Sequence, residues 1–213
     1  MSSLVSQATA EFLENYERDA RVRWSPEDLS AQQAFVNAQL AGRRWLDLST
    51  PEAALQLLQA SQEHRSVGGA EEFNAAVLAG PVVELLEPRT LFSQVALKLG
   101  RNGRLVGIVP CLRDNSPESR LFAELAEASY WPYYTAEELL EILRDTCWQV
   151  DSAASGFTPI HRFNEAAFKD QLGFKGFNRV FTRLAAEGYE PMEVGWGELR
   201  LVATAAGGAR TER

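Results

Sequence analysis

Apolar residues recur along this chain at helical spacing, then in short continuous runs, then at helical spacing again. Residues 7–18 place Ala8, Phe12, Leu13 and Tyr16 on one helix face. Ser25 and Pro26 open a second helix, since serine caps and proline suits the first turn. It should reach about Leu40, with Leu29, Phe35, Val36 and Leu40 inward, and end near Gly42. Residues 44–48 read as a short buried strand. Ser49 or Thr50 then caps a helix opened by Pro51, running to about Gln59 with Leu55 and Leu58 inward. The apolar run 73–79 reads as a central strand. Pro88 opens a helix with Leu91, Phe92, Val95 and Leu99 on one face. Residues 104–109 form a second buried strand, closed by Pro110. Ser116, Pro117 and Glu118 start a helix through Ala128, and Thr135 with Glu138 fits a capping box for a helix to about Thr146. A strand over 149–155, helices over 164–172 and 177–187, and an alternating strand over 197–205 complete the pattern.

Strands alternating with helices predict an α/β layered fold with a largely parallel sheet. N-terminal helices (1–43) precede an α/β domain (44–205), and residues 206–213 form a glycine-containing tail expected to be flexible.

Composition narrows this picture little. With 46% apolar and 23% charged residues in 213, the chain suits one soluble globular domain rather than a disordered or disulfide-stapled one. The formal net charge of −8 argues against nucleic acid as a partner. The basic clusters, Arg43 with Arg44 and Lys98 with Arg101 and Arg104, flank strands as solvated ends. No apolar run reaches the roughly 20 residues of a membrane helix. Two cysteines and no secretory signal at the first residues suggest a reduced, cytoplasmic protein. His64 and His161 are the only histidines and no ligand-spaced pair exists, so no metal site is expected.

Three stretches together resemble the class I S-adenosylmethionine-dependent methyltransferases. FNAAVLAGPVVELLEPRTLFSQVALKLGRNGRLVGIVP, over 73–110, is similar to the family's fourth strand, following helix, "LKPGG" turn and fifth strand. YYTAEELL, over 133–140, is similar to its "YYTAEELLELL" helix start, and WGELRLVA, over 196–203, to its last strand. Residues 44–54 match the first strand and cofactor loop. The resemblance covers about residues 30–205 and implies a Rossmann-like three-layer sandwich.

Two departures qualify what the resemblance implies. The family's first strand ends in a pattern like "LDLGCGTG", whose glycines let the backbone approach the cofactor. Here LDLSTPEA stands in that place, with Ser49, Pro51 and Ala53 at the three glycine positions. Proline lacks an N–H, and each side chain projects toward the cofactor's amino-acid moiety. Second, only 24 residues separate Leu48 from Phe73, where the family has two further strands and three helices. That length allows one crossover. Arg65, Ser66 and Val67 are at most a remnant strand. The ribose-binding acid that ends the family's second strand has no clear counterpart among Glu63, Glu71 and Glu72.

A reduced sheet of about five strands follows, with the first strand at its edge. The vestigial cofactor pocket would comprise Asp47, Ser49, Pro51, Ala53 and Gly80. The family match makes Asp47 a pocket carboxylate; the local pattern makes it a strand-end acid capping the next turn. Glu84 stands where relatives place a substrate-side residue, and it also suits a solvated helix start. His161 suits a general base or a loop residue, and Cys111 a nucleophile or a small buried hydrophobe. Trp131, Pro132, Tyr133 and Tyr134 form an aromatic loop that either covers the core or contacts a substrate or partner. The expected function is a binding or scaffold subunit that has lost S-adenosylmethionine. The alternatives are an active methyltransferase with a rearranged cofactor loop, and a different α/β enzyme. The bare edge and its missing cover predict a homodimer or other protein contact around residues 44–72.

Overall fold

The computed structural model describes residues 26–49, 53–54, 57, 73–79, 87–126, 134–159, 178, 182–190 and 195–206. In chain order these form α1 (Pro26–Leu40), β1 (Trp45–Asp47), β2 (Ala75–Ala79), α2 (Pro88–Leu99), β3 (Arg104–Leu112), α3 (Pro117–Ala126), α4 (Ala136–Asp145), β4 (Trp148–Pro159) and β5 (Gly195–Ala205). The described strands make one sheet in the order β1-β2-β3-β5-β4. β1, β2 and β3 pair in parallel, and β5 runs antiparallel to both neighbours. The five-stranded expectation holds, and β1 is an edge among the described strands.

Local signals account for the helices. In α2 the Glu87 carboxylate accepts from the N–H groups of Arg89 and Thr90 at 3.1 and 2.7 Å, satisfying first-turn donors. Its buried face is Leu91, Phe92, Val95 and Leu99, the stripe that the spacing predicts. In α4 the capping box is complete: Thr135 Oγ1 accepts from Glu138 N–H at 3.2 Å, and Glu138 accepts from Thr135 N–H at 2.8 Å. The turn after α1 passes through Gly42, whose φ of +72° favours glycine.

β3 runs longer than expected, continuing through Pro110 to Leu112. Arg104 N–H points to Asn74 on the β2 side, and Leu112 N–H points to Tyr134 O. Alternation gives Pro110 that same flank, beyond Ile108, the last β3 residue paired with β2. The missing N–H therefore costs no ladder bond. β4 and β5 also begin earlier than expected, at Trp148 and Gly195, and β4 continues to Pro159.

Two apolar layers sandwich the sheet. The larger joins Leu91, Phe92, Leu99, Leu139, Leu143 and Trp148 to Leu78, Leu105 and Leu201. Trp148 Nε1 donates to Phe92 O at 3.0 Å, tying β4 to α2. On the other face Val36 and Leu40 of α1 cover Ala75, Val77, Val106 and Ile108. The helices expected over 7–18 and 164–172, the tail beyond Ala206, and the side chains of Leu29, Leu55 and Leu58 lie outside the described residues.

Candidate functional site

The carboxyl ends of β1 and β2 are where the family resemblance implies a cofactor. The chain's own groups engage each other there. Asp47 Oδ1 accepts from Ser49 N–H at 2.9 Å, a turn in which the side chain stands in for backbone. Leu48 N–H donates to Val77 O at 2.8 Å, extending the ladder one residue past β1. Ser49 Oγ then accepts from Ala79 N–H at 3.0 Å, so its hydroxyl bridges the two strand ends. At the position of the family's first glycine, a side chain thus fastens β1 to β2.

Ala53 and Ala54 are already helical. Ala54 and Leu57 are buried with Leu48, Leu78, Leu91 and Phe92, in the layer of α2 and α4 rather than that of α1. This placement follows from the sheet order. β1→β2 and β2→β3 step the same way across the sheet, and right-handed crossovers then fall on one face. Open α/β sheets bind ligands where successive crossovers switch faces and open a crevice. Among the described residues, no such switch falls between β1 and β2. Spacing alone did not reveal this, although the 24-residue gap contained it.

The other sequence candidates resolve as follows. Cys111 is buried, and a Cβ built on Gly197 would lie 2.8 Å from its Sγ. The thiol therefore fills the space that glycine leaves across the β3–β5 pair, the small-hydrophobe role. Neither it nor Cys147 forms a disulfide. Tyr134 packs against the larger core and accepts Leu112 N–H, so this end of the aromatic loop is core cover. Pro51, Gly80, Glu84, Trp131, Pro132, Tyr133 and His161 lie outside the described residues. No group of three potential metal ligands occurs among the described residues, and none of their helices is long and apolar enough to cross a membrane.

Two polar clusters were not anticipated. Gln32 Nε2 and Arg200 Nε both donate to Glu198, each at 2.6 Å, pinning α1 to β5. Gln32 continues the i, i+4 stripe of Val36 and Leu40, which was the available signal. After β3, Asp114 accepts from Ser116 N–H at 3.0 Å and from the hydroxyl of Ser119 at 2.7 Å. Burial pushes the Asp114 carboxyl up, but the hydroxyls of Ser116 and Ser119, the Ser116 N–H and Arg113 outweigh it and hold it well below the usual carboxylate range. Arg113 also meets Glu118 at 3.0 Å and lies 5.1 Å from the Phe157 ring centroid. Arg120 meets Glu138 at 2.6 Å, joining α3 to α4. These clusters cap and join elements.

Neither a protein-family model nor a curated protein matches the chain by sequence. Solved structures do match by fold. A methyltransferase candidate from Bacillus halodurans C-125 is 12% identical with a TM-score of 0.53, over 67% of this chain and 74% of that one. The [4+2]-cyclase SpnF is 17% identical with a TM-score of 0.50, over 88% of this chain and 84% of that one. A phosphoethanolamine N-methyltransferase of Haemonchus contortus, solved with S-adenosylhomocysteine, is 12% identical with a TM-score of 0.48, over 84% of this chain and 53% of that one. The chain has the Rossmann-like fold of S-adenosylmethionine-dependent methyltransferases, with a five-stranded described sheet.

Proposed function

We propose that this chain is a methyltransferase-like binding subunit without catalytic activity, which has lost S-adenosylmethionine and contacts a partner through the region of residues 44–72. One observation carries the reading: Asp47 and Ser49 satisfy each other and Ala79 at the end of β1. The glycine-lined approach that a nucleoside cofactor needs is replaced there by a cross-strand hydroxyl bridge. The burial of Ala54 and Leu57 in the α2 layer supports the same conclusion, because it removes the change of face that opens a cofactor crevice. The fold itself is neutral. A methyltransferase candidate and a [4+2]-cyclase both match it, so it does not select a reaction.

The partner surface is supported by Trp45, which is 43% exposed on an edge strand of three residues. An exposed tryptophan beside unpaired strand edge is a common anchor for a second protein.

Isothermal titration with S-adenosylmethionine and S-adenosylhomocysteine tests the reading. Affinity weaker than about 1 mM is expected for both. Micromolar binding of either would replace this reading with an active methyltransferase whose cofactor loop is rearranged.

A further inference from the structure

β4 is the other edge of the described sheet, opposite β1. It is 12 residues long, and its first part is anchored: Trp148 is buried and Val150 packs against the larger core. From Asp151 to Phe157 every residue is exposed. A Cβ built on Gly156 would meet nothing within 4 Å, so the space beside the strand is open there. The sequence over 152–157, SAASGF, carries no charge and no proline. Edge strands are ordinarily blunted by charge, proline or shortness, because their free N–H and C=O groups invite another strand. This stretch has none of those devices.

The register shows which groups are free. Pairing slips by one between Val150 and Ser152, so Asp151 is a bulge residue and the regular ladder restarts at Ser152. Ala205 N–H donates to Gly103 O on the β3 side, and Ala206 N–H donates to Cys147 O on the β4 side, each at 2.8 Å. Alternation therefore turns the main-chain groups of Val202, Arg200 and Glu198 toward β4. Their partners Ser152, Ala154 and Gly156 direct theirs to β5, and those of Ala153, Ser155 and Phe157 point outward. Among the described residues, no main-chain bond reaches these three from outside the sheet.

The segment fits itself. In an antiparallel pair about a twofold axis at Ser155, Ala153 lies opposite Phe157 of the second copy, Ala154 opposite its Gly156, and Ser155 opposite its own mate. Each outward N–H then meets an outward C=O, and the larger side chain of each pair meets a small one. A twofold axis at Ala154 would instead run Phe157 onto the bulge at Asp151. Charge agrees. The antiparallel pair holds the two Asp151 carboxylates at opposite ends of an uncharged contact, whereas a parallel pair would set them side by side. A strand of another protein would gain the same main-chain bonds, but 152–157 offers it no charge and no pocket by which to be selected.

We propose that β4 is a dimer edge: a second copy of this chain adds its own β4, antiparallel and centred on Ser155, joining two sheets into one. The proposal does not depend on the loss of cofactor. It uses the edge opposite the region of residues 44–72, which stays available at both ends of the joined sheet.

Sedimentation velocity of the full chain over a concentration series tests this. A monomer–dimer equilibrium with a midpoint of about 10–100 µM is expected, as suits an interface under roughly 1,200 Å². It should tighten as salt rises, because two molecules of net charge −8 repel. Ser155→Lys and Ser155→Asp each set like charges opposite one another and should weaken self-association at least about tenfold, with unchanged circular-dichroism spectra. An equimolar mixture of the two variants should dimerise again, since lysine then faces aspartate. Trp45→Glu should leave the dimer intact. A chain that stays monomeric to about 1 mM overturns the proposal. So does a dimer indifferent to both Ser155 changes, or a mixture of the two variants that stays monomeric. A dimer abolished by Trp45→Glu also overturns it, by placing the contact at β1. Titration with S-adenosylmethionine on the same samples judges the cofactor reading alone and leaves these outcomes unchanged.

Discussion

Between β3 and β5 nine consecutive residue pairs run in register, from Arg104 opposite Thr204 to Leu112 opposite Trp196, whereas β1 shares three pairs with β2. The β3–β5 region is buried on both faces, carries capped helices α2 and α4, and directs its polar groups into caps. The β1 region has an exposed tryptophan, a half-buried Leu46 and an exposed Asp47, and side-chain oxygens fasten its end. In a methyltransferase-like fold the second region is the one that meets a cofactor. Here β3 and β5 pair in full register, while side-chain oxygens join the ends of β1 and β2. On the proposed reading, stability and ligand chemistry reside in separable parts of the sheet.

The contrast is broken most directly by unequal core damage. Phe92→Ala removes a fully buried ring from the larger core and should cost about 3–5 kcal/mol, read as a lower urea midpoint. Trp45→Ala, at the exposed edge, should cost less than about 1 kcal/mol. Equal losses would show that β1 is as deeply built into the fold as α2.

A smaller effect is expected at Gly197. A Cβ there would meet Cys111 Sγ at 2.8 Å and Gly156 O at 3.2 Å. Gly197→Ala should cost about 1–3 kcal/mol by overpacking. Adding Cys111→Ala should recover part of the loss but not all, since the backbone contact remains. Full additivity of the two changes would mean that the thiol and the glycine do not share space.

Smaller again is a pH effect, confined to the strongly paired region. Asp114 has a folded value below its unfolded one, so it contributes stability above the ordinary carboxylate range. That contribution is lost as pH falls below about 4 toward the folded value. Asp114→Asn should flatten the fall of urea midpoint between pH 5 and pH 2 while leaving Trp45 and its surroundings unchanged. A profile identical to that of the parent chain would deny the carboxylate this role.

The paired region was also the legible one. Pro88 with its apolar stripe, and Thr135 with Glu138, announced two helices within a residue of their observed starts. Such signals are local, because a cap and a stripe need only neighbours in sequence. Pro110 misled for the opposite reason: whether a strand tolerates proline depends on which flank is already empty, a tertiary fact. At the candidate site, the substitution of glycines by Ser49 and Ala53 was visible, and so was the short crossover. The bridge from Ser49 to Ala79 spans 30 residues, so only the register could join them.

The subtlest test concerns the closed end itself. If lost glycines alone removed the cofactor, then Ser49→Gly, Pro51→Gly and Ala53→Gly together should restore it. The geometry predicts otherwise. Removing the Ser49 hydroxyl ends its bond with Ala79 N–H, and replacing the proline at 51 adds a backbone N–H. Ala54 and Leu57 after β1 still pack with α2, however, as two same-direction steps across the sheet require. Among the described residues no change of face appears between β1 and β2, so on the proposed reading a nucleoside gains no crevice. The triple variant should therefore lose roughly 1–3 kcal/mol of stability through added backbone freedom and still show no calorimetric response to S-adenosylmethionine up to about 1 mM. A micromolar affinity in that variant would place the whole defect in three side chains and show that the shortened crossover is innocent.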